Sequence, residues 1–498
     1  MCTNFQWFQT KVFELRSDCK RAEILTELKS AMKSKDESQQ KYIAQNLQLE
    51  EAFDCLTSSE KEVVDVAGQI LSLSLGSLDS NVVLGQYLDH LKRALCQSSV
   101  TGKKLAVDEL YRAAHHSELV STVSQLDILE SVVTCLKSSD IALAKSASAL
   151  LVKLGEYPSA LDVIFSQGII ETLKCIQTKG DITRFRVFEV TILIATHSLE
   201  GLCACENNGF LKTLVKELES EDVIMQLNAL ELLSKLARQS HGLVWLQEHG
   251  ILRLLADKML SIEEEPLGHL LLPGLLKMFG IVAQNSPKHF FDHYPEVLTL
   301  LFESFDTSDM NLLGIAMDTL GCVARSVEGK LMLYNHGDQA KSAIKKIAHA
   351  IQTFPQLHKA RALKAMADIV ELKRDVQESH VLQITKDFFH WVSDEPLTLV
   401  MEIFENQFPK LRLAGLHLLR VLAEQEWGQM LIEKQPGIIE FLLDRVMESH
   451  KYCKNGKIAV VKTIVESPTS SSVFGSETVA KLKKSIQIRV QTPIVRRV

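Results

Sequence analysis

This sequence is poor in the features that enzymes, membrane proteins and secreted proteins depend on. Aromatic residues make up 6% of its 498 residues, and only 11 residues are proline. Nowhere does an apolar run reach the roughly 18 residues needed to cross a bilayer. The opening stretch, MCTNFQWFQTKVFELRSDCK, lacks the unbroken apolar core of about 7 to 15 residues that a secretory signal carries. No Asn-X-Ser/Thr acceptor with a permitted middle residue occurs. The ten cysteines are scattered singly, and Cys135, Cys175 and Cys322 fall among apolar helix residues, as small reduced hydrophobes do. These absences point to the cytosol, leave a nuclear pool open, and predict no membrane contact.

Catalytic motifs are missing as well. The chain holds no G-x-G-x-x-G, G-x-x-x-x-G-K-[ST], H-E-x-x-H or G-x-S-x-G, and Gly329-Lys330 runs into Leu331 without the upstream glycine of a phosphate cradle. His197, Cys203 and Cys205 offer three ligands at an unorthodox spacing, so a turn between helices is expected there rather than zinc. His115-His116 reads as an exposed helix end. Glu263 to Glu265 reads as a solvated turn, with Pro266 opening the next helix, rather than as a calcium site. No enzyme, metal or cofactor is therefore expected. Charge adds little: 55 basic residues against 62 acidic give a formal −7, without the basic stripe that nucleic acid demands. The exception runs from Thr478 to Val498, where six bases (Lys481, Lys483, Lys484, Arg489, Arg496, Arg497) and no acid follow the serine-rich ESPTSSS. That segment reads as a solvated basic tail, with a localisation signal or an acidic contact as the alternative.

The chain is rich in repetition. A phrase made of a Gly-led turn, an apolar stretch, a Ser/Asp break and a longer apolar stretch recurs, its breaks at Ser99, Asp140, Asp181 and Asp222 being 41 residues apart. Gly168, Gly209 and Gly250 keep the same step. A period of about 40 to 47 residues is that of HEAT and armadillo repeats, which predicts an all-α helical-repeat solenoid. In DVIMQLNALELLSKLAR, Asp222 to Arg238, the aspartate suits a helix cap. Only Asn228, Glu231, Lys235 and Arg238 break an apolar surface, so this helix belongs between neighbouring repeats with one edge in water. The expected organisation is one array over 1–476, with a polar joint near 33–41, a repeat at 264–285 kinked by Leu272-Pro273-Gly274, a lengthened repeat at 380–425 containing Pro396 and Pro409, and a basic tail over 477–498.

Aligning the closing apolar pairs of the long helices places Asp108, Ala149, Glu189, Glu231, Lys277, Asp318, Lys364 and His417 in one column. One turn further on lies a second: Arg112, Lys153, Leu193, Lys235, Ile281, Cys322, Asp368 and Val421. If the long helix lines the inner surface, these side chains form a mixed-charge ladder, open either to plain hydration or to a partner. Glu189, Glu231, Lys235, Lys277, Asp318 and Lys364 are the candidate partner-binding residues. The ladder lacks the Trp/Asn pairs with which armadillo importers hold basic peptides, which argues against an import receptor.

Several phrases carry a family likeness. DITRFRVFE (Asp181 to Glu189), LPGLLKMFGIVAQNSP (Leu272 to Pro287), Tyr294-Pro295, MDTLGCVARSVEGK (Met317 to Lys330), QFPKLRLAGLHLL (Gln407 to Leu419) and QPGIIEFLLDR (Gln435 to Arg445) resemble, in the same order, the family of 26S proteasome non-ATPase regulatory subunit 5. The resemblance implies a helical-repeat chaperone for assembly of the base of the proteasome regulatory particle. Such a protein holds the C-terminal domain of an AAA ATPase subunit within an assembly intermediate and leaves before the particle is complete. On its own it is expected to be a monomer. The residues alone leave open a second reading, an armadillo-type scaffold or transport adaptor that binds an extended peptide in its groove.

Overall fold

The Ser/Asp breaks become helix caps. The N–H of Leu143 donates to the Asp140 carboxylate at 2.8 Å, that of Gly102 to the Ser99 hydroxyl at 3.1 Å, and that of Ile224 to Asp222 at 2.8 Å. Asp309 repeats the device, accepting from the Asn311 N–H at 2.8 Å. Each satisfies a donor that the first helical turn leaves without a partner. Asp181 differs: Gly180 takes the cap position, and Asp181 is the first helical residue, paired with Arg184 at 2.8 Å.

A computed structural model describes residues 2–17, 20–262, 264, 267–444, 448 and 450–490, with the side chains of 2–4 and 487–490 outside the description. Every regular element among the described residues is helical. The chain divides into two compact units, Met1–Ser220 and Glu221–Val498. In the first, the long helices are α1 (Arg21–Lys33), α2 (Lys61–Gly76), α3 (Val100–Ala113), α4 (Ile141–Leu154) and α5 (Asp181–His197). In the second they are α6 (Val223–Ala237), α7 (Leu272–Asn285), α8 (Met310–Val323), α9 (Gln356–Val370), α10 (Pro409–Ala423) and α11 (Lys451–Glu466), followed by α12 (Ser470–Val490). Within each unit every long helix packs on the next. Between α3 and α11, two further helices connect successive members of the series, as Pro158–Ile164 and Gln167–Gln177 do between α4 and α5. The result is a three-helix repeat of HEAT/armadillo type.

Packing follows the apolar pattern. Ala147, Leu150 and Leu154 of α4 and Leu233, Leu236 and Ala237 of α6 have no accessible surface, while Glu231 and Arg238 stay exposed. Each fully buried leucine contributes roughly 1.5–3 kcal/mol. Gly209 and Gly250, at φ 80° and 69°, turn the chain between the two short helices of their repeats, a conformation that costs glycine little. Gly168 keeps the sequence spacing but lies inside the helix Gln167–Gln177.

Several expectations change on the structure. Pro273 does not kink a long helix; α7 starts at Leu272, so the proline occupies the first turn, where its missing N–H would have had no partner. Pro396 and Pro409 likewise open Pro396–Phe404 and α10. The extra length of that repeat lies in the connection 371–378, where Arg374 pairs with Glu424 at 2.7 Å and donates to the Thr463 and Glu466 carbonyls at 2.8 and 3.1 Å. The segment expected as a solvated tail is helical to Val490, turned by Gly475 (φ 75°) and anchored by buried Val479, Leu482 and Ser485; Arg496 and Arg497 lie outside the described residues. So do Glu263, Glu265 and Pro266. The 33–41 joint shortens to residues 34–36, with Asp36 capping Glu37–Asn46. Cys135 is buried, Cys322 half-buried and Cys175 exposed, so the last departs from the buried usage expected of it.

Candidate partner-binding faces

The first column is solvent-facing throughout. In the second unit Glu231, Lys277 and Lys364 are exposed, and Asp318 and His417 are half-buried. In the first unit Glu189 is exposed, and Asp108 and Ala149 are half-buried. The second column faces the seam between helices: Lys235, Ile281 and Cys322 are half-buried, and Asp368 and Val421 are buried. Four residues along a helix of about 3.6 residues per turn rotate a side chain by about 40°, enough to swing it from the open edge towards the neighbouring helix.

Within the first unit, α3, α4 and α5 enclose a groove of about 540 Å³. Its floor is apolar (Ile141, Ala144, Ala149, Val152, Leu193) and its walls carry Lys145, Lys153, Arg186, Glu156 and Glu189. Two of these cations are already committed. Lys153 pairs with Glu156 at 2.5 Å, which pushes its ammonium above the usual lysine range, and Arg186 donates to the Leu136 and Ser138 carbonyls at 2.8 and 2.7 Å. Asp108 is also occupied, accepting from Ser146 at 2.7 Å and pairing with Lys104 at 2.5 Å. Ile141, three-quarters exposed, is the groove's open apolar group.

In the second unit the ladder is wired to itself. Arg361 of α9 reaches Asp318 of α8 at 2.6 Å through a gap kept by Gly314, where a Cβ would stand 2.3 Å from the guanidinium. Asp368, buried, receives Arg325 at 2.9 Å and Lys364 at 2.7 Å. Arg420 of α10 spans Glu371 at 3.3 Å and Glu424 at 3.7 Å. Beneath this lattice Lys330 is fully buried, its Nζ donating to the Ala324 carbonyl at 2.5 Å and lying 3.4 and 3.5 Å from the Arg325 and Asp368 carbonyls. It therefore caps the negative end of α8. Burial lowers its ammonium to about 7, against the pull of Glu371 and Asp368. His417 is pushed down by burial and then by Arg420. Asp318 and Lys364 are thus partnered within the ladder, whereas Glu231 and Lys277 are exposed and form no ion pair among the described residues.

Arg361, Arg325, Arg420 and Arg374 were not legible as ladder members, because each pairs across helices and cross-helix register is set by packing. A second set was legible in principle. Gly201, Gly242, Gly329 and Gly428 each occupy the first turn of the short helix that follows a long one, in the phrases SLEG, QSHG, SVEG and QEWG. A Cβ there would stand 2.7, 2.3, 2.0 and 2.2 Å from the carbonyl oxygens of Ile194, Leu236, Val323 and Leu422. The candidate zinc set disperses: His197 and Cys203 are exposed, while Cys205 is buried, donating to the Thr191 carbonyl at 3.1 Å. Burial drives the Cys205 thiol far up, the reverse of what a thiolate ligand needs. His115 and His116 are exposed at the end of α3, as expected.

Long helices stacked from repeat to repeat, each turning one edge to solvent, define a helical-repeat protein of the HEAT and armadillo class. Yeast importin-β (Kap95p) shares this architecture, with a TM-score of 0.54 at 11% identity, aligned over 98% of this chain and 67% of that one. At that identity the likeness concerns the fold alone. Sequence narrows the class: residues 5–490 match the family described as proteasome non-ATPase 26S subunit, and the chain belongs to that family. It is 28% identical to human 26S proteasome non-ATPase regulatory subunit 5 over 442 residues, 88% of each chain. The protein of the same name from Bos taurus is 28% identical over 463 residues (93% of this chain, 92% of the relative), and that from Drosophila melanogaster 26% identical over 485 residues (94% of each). The chain is a proteasome-related, helical-repeat protein. No helix among its described residues is long and apolar enough to cross a membrane.

Proposed function

We propose that this protein is a chaperone for assembly of the base of the 26S proteasome regulatory particle. It holds the C-terminal domain of an AAA ATPase subunit within an assembly intermediate and departs before the particle is complete. The observation that carries this reading is the family match across nearly the whole chain, residues 5–490, on a fold whose long helices turn a row of charged side chains to solvent. Gripping a folded domain needs an interface of about 800 Å² per partner with a few well-packed anchors. Stacked repeats supply such area without a deep pocket. Once bound, the chaperone acts by occlusion: a surface of the ATPase that it covers is withheld from later subunits until it leaves. This action is non-catalytic, and it takes place in the cytosol, with a nuclear pool where particles are also assembled.

Glu189, Glu231, Lys235 and Lys277 are the ladder residues we assign to the contact, with Asp318 and Lys364 contributing through their pairs. The test is capture of isolated regulatory ATPase C-terminal domains by the purified chain. A Glu231→Lys, Lys277→Glu double variant reverses two exposed charges without touching the Asp318–Arg361 bridge. It is expected to weaken capture of one ATPase domain while leaving circular dichroism unchanged. Failure of the unmodified chain to bind any of the ATPase domains would overturn the assignment. Recovery of cargo peptides, or of the complete proteasome in stoichiometric amount, would favour the adaptor reading instead.

A further inference from the structure

Helices α9, α10 and α11 of the second unit start differently from four of the eight long helices before them. Ser99, Asp140, Asp222 and Asp309 put an oxygen over the first turn of α3, α4, α6 and α8. In α9, α10 and α11 the cap positions are Pro355, Phe408 and His450; none makes a side-chain cap bond, and no first turn holds an acidic residue. The first turns of α10 and α11 carry open lysines instead, whereas Lys359 of α9 donates to the Gln352 carbonyl at 2.7 Å. Lys410, Lys451 and Lys454 are exposed and form no ion pair among the described residues. The arginines nearby are committed, Arg361 to Asp318 and Arg412 to Glu448, at 2.6 and 2.8 Å. Cations at a helix start oppose the macrodipole, so this arrangement is unfavourable in the free chain.

Apolar side chains are interleaved with these lysines. Leu357 is 66% exposed, Tyr452 64% and Leu413 39%. Helices α10 and α11 are in direct contact at this end. The Cys453 thiol donates to the Pro409 carbonyl at 3.2 Å, and Leu413 lies so close to α11 that a Cβ on Gly456 would stand 3.3 Å from its methyl. The ring of His450, 5.7 Å from that of Tyr452, keeps a buried Nδ1 without a hydrogen-bond partner among the described residues. Pro409, Arg412 and His450 also border a cavity that carries Glu405, Glu440, Asp444 and Glu448, of which Glu448 is paired with Arg412.

We infer that the starts of α9, α10 and α11 form a docking surface for an acidic segment of another protein, one that spaces leucine-like side chains between carboxylates. The apolar row supplies contact area; the lysines and open helix N-termini supply charge complementarity and fix register. The occupant's carboxylates take the place of the missing caps. This surface is distinct from the ladder residues Glu231 and Lys277, so the inference stands or falls apart from the assembly reading.

The experiment is fluorescence anisotropy on the full chain with a labelled peptide alternating Glu and Leu. Two control peptides replace Leu by Ser, or Glu by Lys. Saturable binding of the Glu/Leu peptide that weakens with salt is expected, with neither control binding. Lys410→Glu with Lys454→Glu should lower affinity about tenfold, and Leu413→Ser with Tyr452→Ser by a similar factor. Lys483→Glu with Lys484→Glu, the same charge change on α12, should leave it unaltered. Equal loss in the α12 variant, equal binding of the Ser control, or full affinity in the folded Lys410/Lys454 variant would each overturn the inference. Stronger capture by phosphatidylserine vesicles than by the peptide would also overturn it, in favour of a lipid surface.

Discussion

Replacing Gly329 by alanine should unfold a corner of the second unit, and the size of the effect follows from one distance. A Cβ at this position would stand 2.0 Å from the Val323 carbonyl oxygen and 3.0 Å from the Ser326 hydroxyl, which accepts the Gly329 N–H at 2.9 Å. The obstacle is backbone at the end of α8, so no rotamer change relieves it, and the turn must open by roughly 1 Å. Overpacking of this kind costs about 1–3 kcal/mol, and a backbone obstacle places it near the top of that range. Alanine returns about 1 kcal/mol through better helix propensity. A net loss of about 2 kcal/mol remains. Gly85 is the matched control: it lies within the helix Ser80–Cys96 with no atom within 4 Å of a Cβ, so alanine there should stabilise by about 0.5–1 kcal/mol. Urea unfolding followed by circular dichroism gives both values, and hydrogen exchange on peptides covering 317–335 localises the first, since each repeat depends mainly on its neighbours. If Gly329→Ala matches the wild type while Gly85→Ala gains, the close-approach argument fails.

Three further outcomes can be checked. Lys330 has a folded pKa of about 7, below its unfolded value near 10.5. Between these limits the unfolded chain binds more protons, so the cost of the buried ammonium is full below pH 7 and relieved as pH rises; the unfolding free energy from urea titrations should climb from pH 7 to 9 by at most about 1.4 kcal/mol per pH unit, and Lys330→Gln should flatten that slope. Glutamine already fills this role at the corresponding turn after α10, where Gln429 donates to the Ala423 carbonyl at 2.9 Å. Asp140→Ala removes the α4 cap and should cost about 1 kcal/mol, with Asp140→Asn nearly neutral in the same unfolding assay. His417 is held below its ordinary range by burial, so stability should fall as pH drops through about 6.5, and a His417→Gln variant should lose that acid limb; proton titration by NMR reads the ring directly.

Much of the architecture was legible. The recurrence of Ser99, Asp140 and Asp222 marked true caps because capping is local: a carboxylate or hydroxyl needs only the backbone two or three residues on. The open edge of α6 was legible for a similar reason, since Glu231 and Arg238 share a helix face with one periodicity. The prolines misled because proline has two meanings in a helix, a break inside it or a start at its first turn, and sequence spacing did not say where α7 begins. The ladder's wiring was hidden altogether. Arg361 finds Asp318 across helices 43 residues apart in sequence, and Arg325 finds Asp368 in the same way, so only the packed register brings them within hydrogen-bond range.

The sequence by itself therefore determined the repeat, the caps, the buried faces and the family, all of which rest on local periodicity or on ordered short phrases. Tertiary structure decided which charges are spent and which remain open. Asp318 and Asp368 are consumed by neighbours, Glu231 and Lys277 are not, and Lys410, Lys451 and Lys454 are left without an ion pair among the described residues, beside exposed Leu413 and Tyr452. The physical reason is that pairing energy depends on distance between side chains of different helices, and that distance exists only once the long helices have stacked.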